Sequence, residues 1–300
     1  MIRPEDILAI KDLSLAARRT IDGFLSGINK SSVKGPGLEF SGYRSYQPGD
    51  DLRWLDWKRV ARSDRYYIRE SEMETSISVR LLVDASRSMD HRDGDFTKMD
   101  YARHLAAALA WLAHSQGDAI GLYLFRDGQV SAMPARRDPQ HLARCLYQLE
   151  QLTTGGVMGE VIEYRHIFLG EQKRELLIFI TDFYEHSGEI GRLLELLAAL
   201  RHEIIVFHVM GGNEFTLAYR GYGQVEDLET GERVPVGGTA AGGSGASGLE
   251  GYEARLREWL AGVRMQCLDR QIDYELMRLD QPMDAALRKY LKSRMGAGLV

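Results

Sequence analysis

Apolar residues recur at steps of three and four near the start of the chain: Ile7, Ile10, Leu13, Ala17, Ile21, Phe24 and Ile28. Pro4 suits a first helical turn, and Gly27 and Asn29 suit an end, so the spacing predicts one amphipathic helix opening the chain. Gly35-Pro36-Gly37, Gly42 and Pro48-Gly49 then punctuate short aromatic segments, a pattern of turns and extended pieces. From Ser76 the pattern changes. ISVRLLVD is a short β-rich apolar run, and Thr97, with Asp100 three residues later, predicts the start of a long helix running through His114. Strands are expected at 119–125, 129–133, 175–181, 203–209 and 272–279. Helices are expected at 139–151, 188–200, 252–268 and 283–293.

That alternation predicts an α/β fold with a mostly parallel sheet and helices on both faces, plus an N-terminal helix and an extended flap. Residues 1–75 are read as the helix and flap, and 76–300 as the main domain. Within 215–236, the pieces GQVEDL and ERVPV flank Thr230-Gly231 and predict a hairpin. Residues 237–251, nearly all Gly, Ala, Ser and Thr, predict a flexible loop.

Composition narrows the class. With 44% apolar and 27% charged residues, the 300-residue chain is neither collagen-like nor wholly disordered. Its longest apolar stretches fall well short of the roughly 18 residues a membrane span needs. The first residues, MIRPEDILAIKD, lack a basic and then apolar leader, so a cytoplasmic location is expected. A net charge of −5 speaks against nucleic acid as a partner. The aromatic-rich stretch 43–72 balances seven basic residues against six acidic ones, so the electrostatic footprint is missing there too. Cys145 and Cys267 stand without metal-ligand spacing and are expected as buried thiols. The GxGxxG at 243–248 has no strand directly before it and sits in low complexity, which argues against a dinucleotide site.

Candidate chemistry gathers at two strand ends. Asp84-Ala85-Ser86-Arg87-Ser88 follows an apolar strand at the carboxyl edge, where open α/β sheets bind ligands. Asp84, Ser86 and Ser88, spaced two apart, offer one carboxylate and two hydroxyls, hard oxygen ligands suited to Mg²⁺ or Mn²⁺. A second strand ends Ile180-Thr181-Asp182, placing another acid at the same edge. The alternative is that both serines shape the loop while both acids accept backbone amides. His91, in the following loop, reads as solvated rather than as a catalytic base. No nucleophile stands with an evident base, and Ser86 occupies the place of a second carboxylate, so no catalytic residue is assigned. Residues 49–62 interleave Arg53, Trp54, Asp56, Trp57 and Arg62, either as salt-bridged packing or as a partner-binding surface.

DASRS with the later ITDF resembles the metal-ion-dependent adhesion site of von Willebrand factor A domains. The segment GPGLEFSGYRSYQPGDDLRWLDWKRVARSDRYYIRE, leading into ETSISVRLLVDASRSM, closely resembles the bacterial family catalogued as domain of unknown function 58 (DUF58). The resemblance runs from about Thr20 to Arg294. It implies a von Willebrand A-like, Rossmann-like fold. It also implies a possible partnership with a MoxR-type AAA+ ATPase, since the family is often encoded beside such enzymes. The expected function is a non-enzymatic protein-interaction module with a Mg²⁺ or Mn²⁺ site at Asp84, Ser86, Ser88 and Asp182. The alternatives are a metal-free scaffold and a metal-dependent hydrolase using Asp84, Asp182 and a bound water. One departure stands out: adhesion sites carry a Thr after a Gly-Gly pair, whereas this chain reads Thr154-Gly155-Gly156-Val157. A methyl in place of that hydroxyl implies a weak site.

Overall fold

The computed structural model describes residues 4–30, 43–45, 67–69, 76–168, 174–216, 224–235 and 245–297. The chain divides into two compact units, residues 1–24 with 76–300, and residues 25–75. In the smaller unit, β1 (Tyr43–Ser45) and β2 (Tyr67–Arg69) pair antiparallel, Tyr43 opposite Arg69. The run 49–62, with Arg53, Trp54, Asp56, Trp57 and Arg62, lies outside the described residues, as does 237–244.

Near the start of the chain stand two helices where the periodicity predicts one, α1 (Pro4–Leu8) and α2 (Leu13–Lys30). Asp12 causes the break, because its Oδ1 accepts from the Leu15 amide at 2.9 Å and starts a new helix by capping it. The Leu13 amide is taken up by Glu150 Oε1 at 2.9 Å.

The sheet is built from β3 (Ser78–Asp84), β6 (Ala119–Arg126), β7 (Gln129–Arg136), β8 (Leu176–Thr181), β9 (Glu203–Met210) and β12 (Asp273–Arg278). Its order is β12-β9-β8-β3-β6-β7, all parallel except the β7 edge, which turns back on β6 with an irregularity between Ile120 and Leu122. Chain order reverses at β3, with β6 on one side and β8 on the other. A doubly wound sheet opens its crevice at such a switch point, beyond the strands' carboxyl ends. The topology is that of a von Willebrand A-like α/β fold.

Helix α3 (Lys98–Ser115) packs across β3, β6, β8 and β9. Its start carries the capping box read from the sequence: the Asp100 amide donates to Thr97 Oγ1 at 3.0 Å, and Asp100 Oδ2 accepts from the Thr97 amide at 2.9 Å. Helix α4 (Pro139–Gln151) begins after the cap Asp138 with proline in its first turn. Another cluster joins Leu82, Phe125, Phe179 and Val206 of the sheet to α5 (Val161–Phe168), α6 (Glu189–Ala199) and α8 (Gly245–Asp269) through Phe168, Leu193 and Cys267. The chain closes with α9 (Asp284–Ala297). Both cysteines are buried thiols.

Four short elements have no counterpart in the periodicity reading: α5, α7 (Gly212–Thr216), a 3-10 turn at Arg87–Asp90, and the ribbon of β4 (Arg92–Asp93) with β5 (Phe96–Thr97). The hairpin predicted around Thr230-Gly231 is present as β10 (Gln224–Glu226) and β11 (Arg233–Pro235), Val225 opposite Val234. The flexible loop predicted over 237–251 needs correction, because residues 245–251 are the first turns of α8. Each residue added to an existing helix gains a hydrogen bond, which here outweighs the cost of Gly245, Gly248 and Gly251.

A buried oxygen cluster at the sheet switch point

The strand register brings the ends of β3 and β8 side by side, with Val83 opposite Ile180. Asp84 is buried there. Its Oδ1 accepts from the Ser86 amide at 2.9 Å, and its Oδ2 accepts from Thr181 Oγ1 at 2.7 Å. Thr181 Oγ1 in turn accepts from the Phe183 amide at 3.1 Å. The Ser86 and Ser88 hydroxyls are 3.0 Å apart, and Ser88 Oγ donates to Asp182 Oδ1 at 3.2 Å. All four residues predicted as ligands, Asp84, Ser86, Ser88 and Asp182, therefore meet in one buried hydrogen-bonded chain.

Two local devices hold that chain in place. The Ser86–Ser88 loop is pinned by backbone bonds, Ala85 N to Phe125 O at 2.8 Å and Arg87 N to Gly156 O at 2.9 Å. Phe183 takes a left-handed φ of 56°, a conformation that costs a non-glycine residue roughly 1–2 kcal/mol. Its turn lets the Tyr184 amide donate to Asp182 Oδ1 at 3.1 Å.

Charge is unevenly supplied. Lys98, the first residue of α3, is buried with Nζ 3.0 Å from Asp182 Oδ2 and 2.9 Å from Glu214 Oε1. Burial alone would lower the lysine pKa, but Asp182 and Glu214 outweigh it and hold the ammonium above its ordinary range. Burial works against the Asp182 carboxylate as well, and Lys98 overcomes it, keeping its pKa below the usual value. Among the described residues no cation pairs with Asp84. Burial, and then the neighbouring Asp182, push its pKa up to about 7.

Sequence reasoning did not find Lys98, Thr181, Glu214 or Glu229. Glu229, in the turn of the β10–β11 hairpin, buries its side chain to 2% exposure and pairs through Oε2 with His186 Nε2 at 3.0 Å. Burial raises the Glu229 pKa, the neighbouring Ser88 opposes that rise, and the charge of Asp182 adds to it. Thr181 was visible beside Asp182, but Lys98 and Glu229 carried no local signal. His91 is half-buried rather than solvated, its Nε2 2.9 Å from Asn213 Oδ1.

The loop holding Val157 does border the site. Gly155 N donates to Ala85 O at 2.9 Å, but Val157 itself is 41% exposed, and Thr153 Oγ1 is engaged by Arg126 at 2.7 Å.

The donor set fits a small divalent cation. An octahedral Mg²⁺ with oxygens at 2.0–2.1 Å sets neighbouring ligands about 3 Å apart, and the 3.0 Å Ser86–Ser88 spacing matches that edge. The ion would draw on Asp84, Ser86 and Ser88, with Asp182 behind them. Among the described residues, no group of three or more His, Cys, Asp or Glu side chains stands at metal-holding spacing, so hydroxyls would have to contribute.

Comparison with known proteins gives relatives and structural likenesses. The uncharacterized protein Rv1480 of Mycobacterium tuberculosis strain H37Rv is 30% identical over 233 residues, covering 76% of this chain and 72% of that protein. Its counterpart Mb1516 of Mycobacterium bovis matches equally. BatB of Bacteroides thetaiotaomicron has a similar structure at 16% identity and a TM-score of 0.47, covering 74% of this chain and 100% of that one. The SpRpn10 VWA domain scores 0.38 at 11% identity, covering 72% and 95%. The family model for the protein of unknown function DUF58 matches residues 42–241, and with the mycobacterial relatives it shows that this chain belongs to the DUF58 family.

Proposed function

We propose that the protein is a non-enzymatic interaction module that binds a partner through a Mg²⁺- or Mn²⁺-dependent site at Asp84, Ser86, Ser88 and Asp182. The observation that carries this reading is the convergence of those four residues from two strand ends, with oxygen spacings of 3.0 and 3.2 Å. A bound dication with an open coordination position would supply the Lewis acidity that holds a carboxylate of the partner. The chain's own residues do the rest. Asp84 orients Ser86 through its amide, Thr181 fixes Asp84, and Lys98 keeps Asp182 ionised. The partner class we propose is a MoxR-type AAA+ ATPase, which the family resemblance suggests. No helix among the described residues is long and apolar enough to cross a membrane.

The test is thermal. A ligand bound only to the native state stabilises it by about 2.7 kcal/mol at a hundredfold excess over Kd. Mg²⁺ or Mn²⁺ should therefore raise the melting temperature of the wild type and leave Asp84→Ala unmoved. Purified MoxR-type ATPase from the same organism should bind the wild type in Mg²⁺ and lose it in chelator. An equal melting rise in the Asp84→Ala protein would sink the assignment.

A further inference from the structure

The β10–β11 hairpin forms a two-stranded sheet of its own, pairing with none of the other described strands. Around its turn Thr230, Gly231, Glu232 and Arg233 are exposed, whereas the Glu229 side chain is swallowed. The turn is rigid in itself: Asp227 Oδ1 accepts from the Glu229 amide at 2.8 Å and from Thr230 at 3.1 Å. Two side-chain contacts fasten it to the loop after β8, Tyr184 hydroxyl to Asp227 Oδ2, and His186 to Glu229. Glu229 Oε1 is buried without any hydrogen bond. Leaving a buried polar atom unpaired is destabilising, more so for a charged group, so the position is poor as pure scaffolding. Tyr184, whose amide donates to Asp182 Oδ1, and His186 anchor the turn to the very loop that carries Asp182, and Ser88 and Asp182 both act on the Glu229 charge.

We infer that the β10–β11 hairpin is a built-in occupant of the site, with Glu229 standing where the acidic side chain of a partner enters, so that partner binding displaces the hairpin. This rests on the carboxylate-capturing reading above and adds its regulation. An isolated two-stranded hairpin is marginally stable, which makes this one releasable without disturbing the main sheet. The wild type then binds acidic ligands with an affinity reduced by the fraction of molecules whose hairpin is open.

The full-length chain tests this with Mg²⁺ and a capped glycyl-glutamyl-glycine peptide as probes, followed by calorimetry. Glu229→Ala and the near-isosteric Glu229→Gln should each bind the peptide about tenfold more tightly than the wild type. Tyr184→Phe, which frees Asp227 without touching the oxygen cluster, should bind with intermediate affinity. In the wild type, Mg²⁺ with the peptide should speed amide exchange across 224–235, and the glutaminyl peptide should not. Equal peptide affinity in all forms, with Mg²⁺ still raising the melting temperature, would overturn the inference and leave the metal site standing. Unchanged or slower hairpin exchange on peptide binding would overturn it as well. Absence of any Mg²⁺ effect in every form would remove the site reading and this inference together.

Discussion

Thr181 does two things with one hydroxyl, donating to Asp84 and accepting the amide of the strained residue Phe183. Thr181→Val keeps the shape and removes both bonds, so we expect a loss of about 1–3 kcal/mol in urea unfolding. A change within 0.5 kcal/mol of zero would mean the hydroxyl is dispensable. A different side chain sets an acid limit. His141 is buried, with Nε2 2.9 Å from the Ile120 carbonyl, and desolvation lowers its pKa, with the nearby Arg136 and Arg144 adding to the effect and the Ile120 carbonyl and Asp138 opposing it. The unfolded chain therefore takes up a proton, near pH 6.5, before the folded one does. The stability His141 contributes is complete above that pH and drains away as pH falls. Unfolding free energy measured from pH 7 to 5 should fall more steeply for the wild type than for His141→Gln, and parallel curves would refute this. At this scale the site was partly legible. Asp84, Ser86 and Ser88 fall within five residues, and Asp182 ends an obvious strand, whereas Lys98 reaches Asp182 across 84 positions of sequence and needs the fold to place it.

Among elements, the segment 153–157 shows why a glycine pair is required. Gly156 has φ 58°, and a Cβ built on it would stand 2.8 Å from the Asp127 Cα, a backbone atom that cannot step aside. Gly156→Ala should cost more than about 2 kcal/mol through strain and clash together. It should also loosen the Arg87 amide that bonds to the Gly156 carbonyl, which amide exchange would report. Retained stability would show that the loop moves freely. Element boundaries were legible wherever capping chemistry was local, as at Thr97 with Asp100 and at Asp138 with Pro139. They were missed where a polar residue interrupts a good apolar repeat, as Asp12 does between α1 and α2. They were also missed where a helix is too short for periodicity to register, as in α5 and α7.

For the molecule as a whole, Cys145 on α4 and Cys267 on α8 report from different core regions of the larger unit. Burial pushes both thiols up to about 11, so neither is reactive until it is exposed. If that unit unfolds cooperatively, both should become labelled by alkylation at one denaturant midpoint, and separated midpoints would show two folding blocks.

The two margins of the sheet carry a consequence of their own. On one side β7 runs antiparallel with Pro134 in its course, a residue with no amide hydrogen to offer a newcomer. On the other, Lys289 of α9 donates to the Tyr274 carbonyl at 2.9 Å and draws Glu275 to 3.2 Å, dressing β12 with charge. Both borders thus carry features that discourage the addition of a further strand, whether from another copy or from an extended peptide. A visiting protein is steered away from lengthening the lattice of backbone bonds and toward its summit, where the loops after β3, β8 and β9 meet.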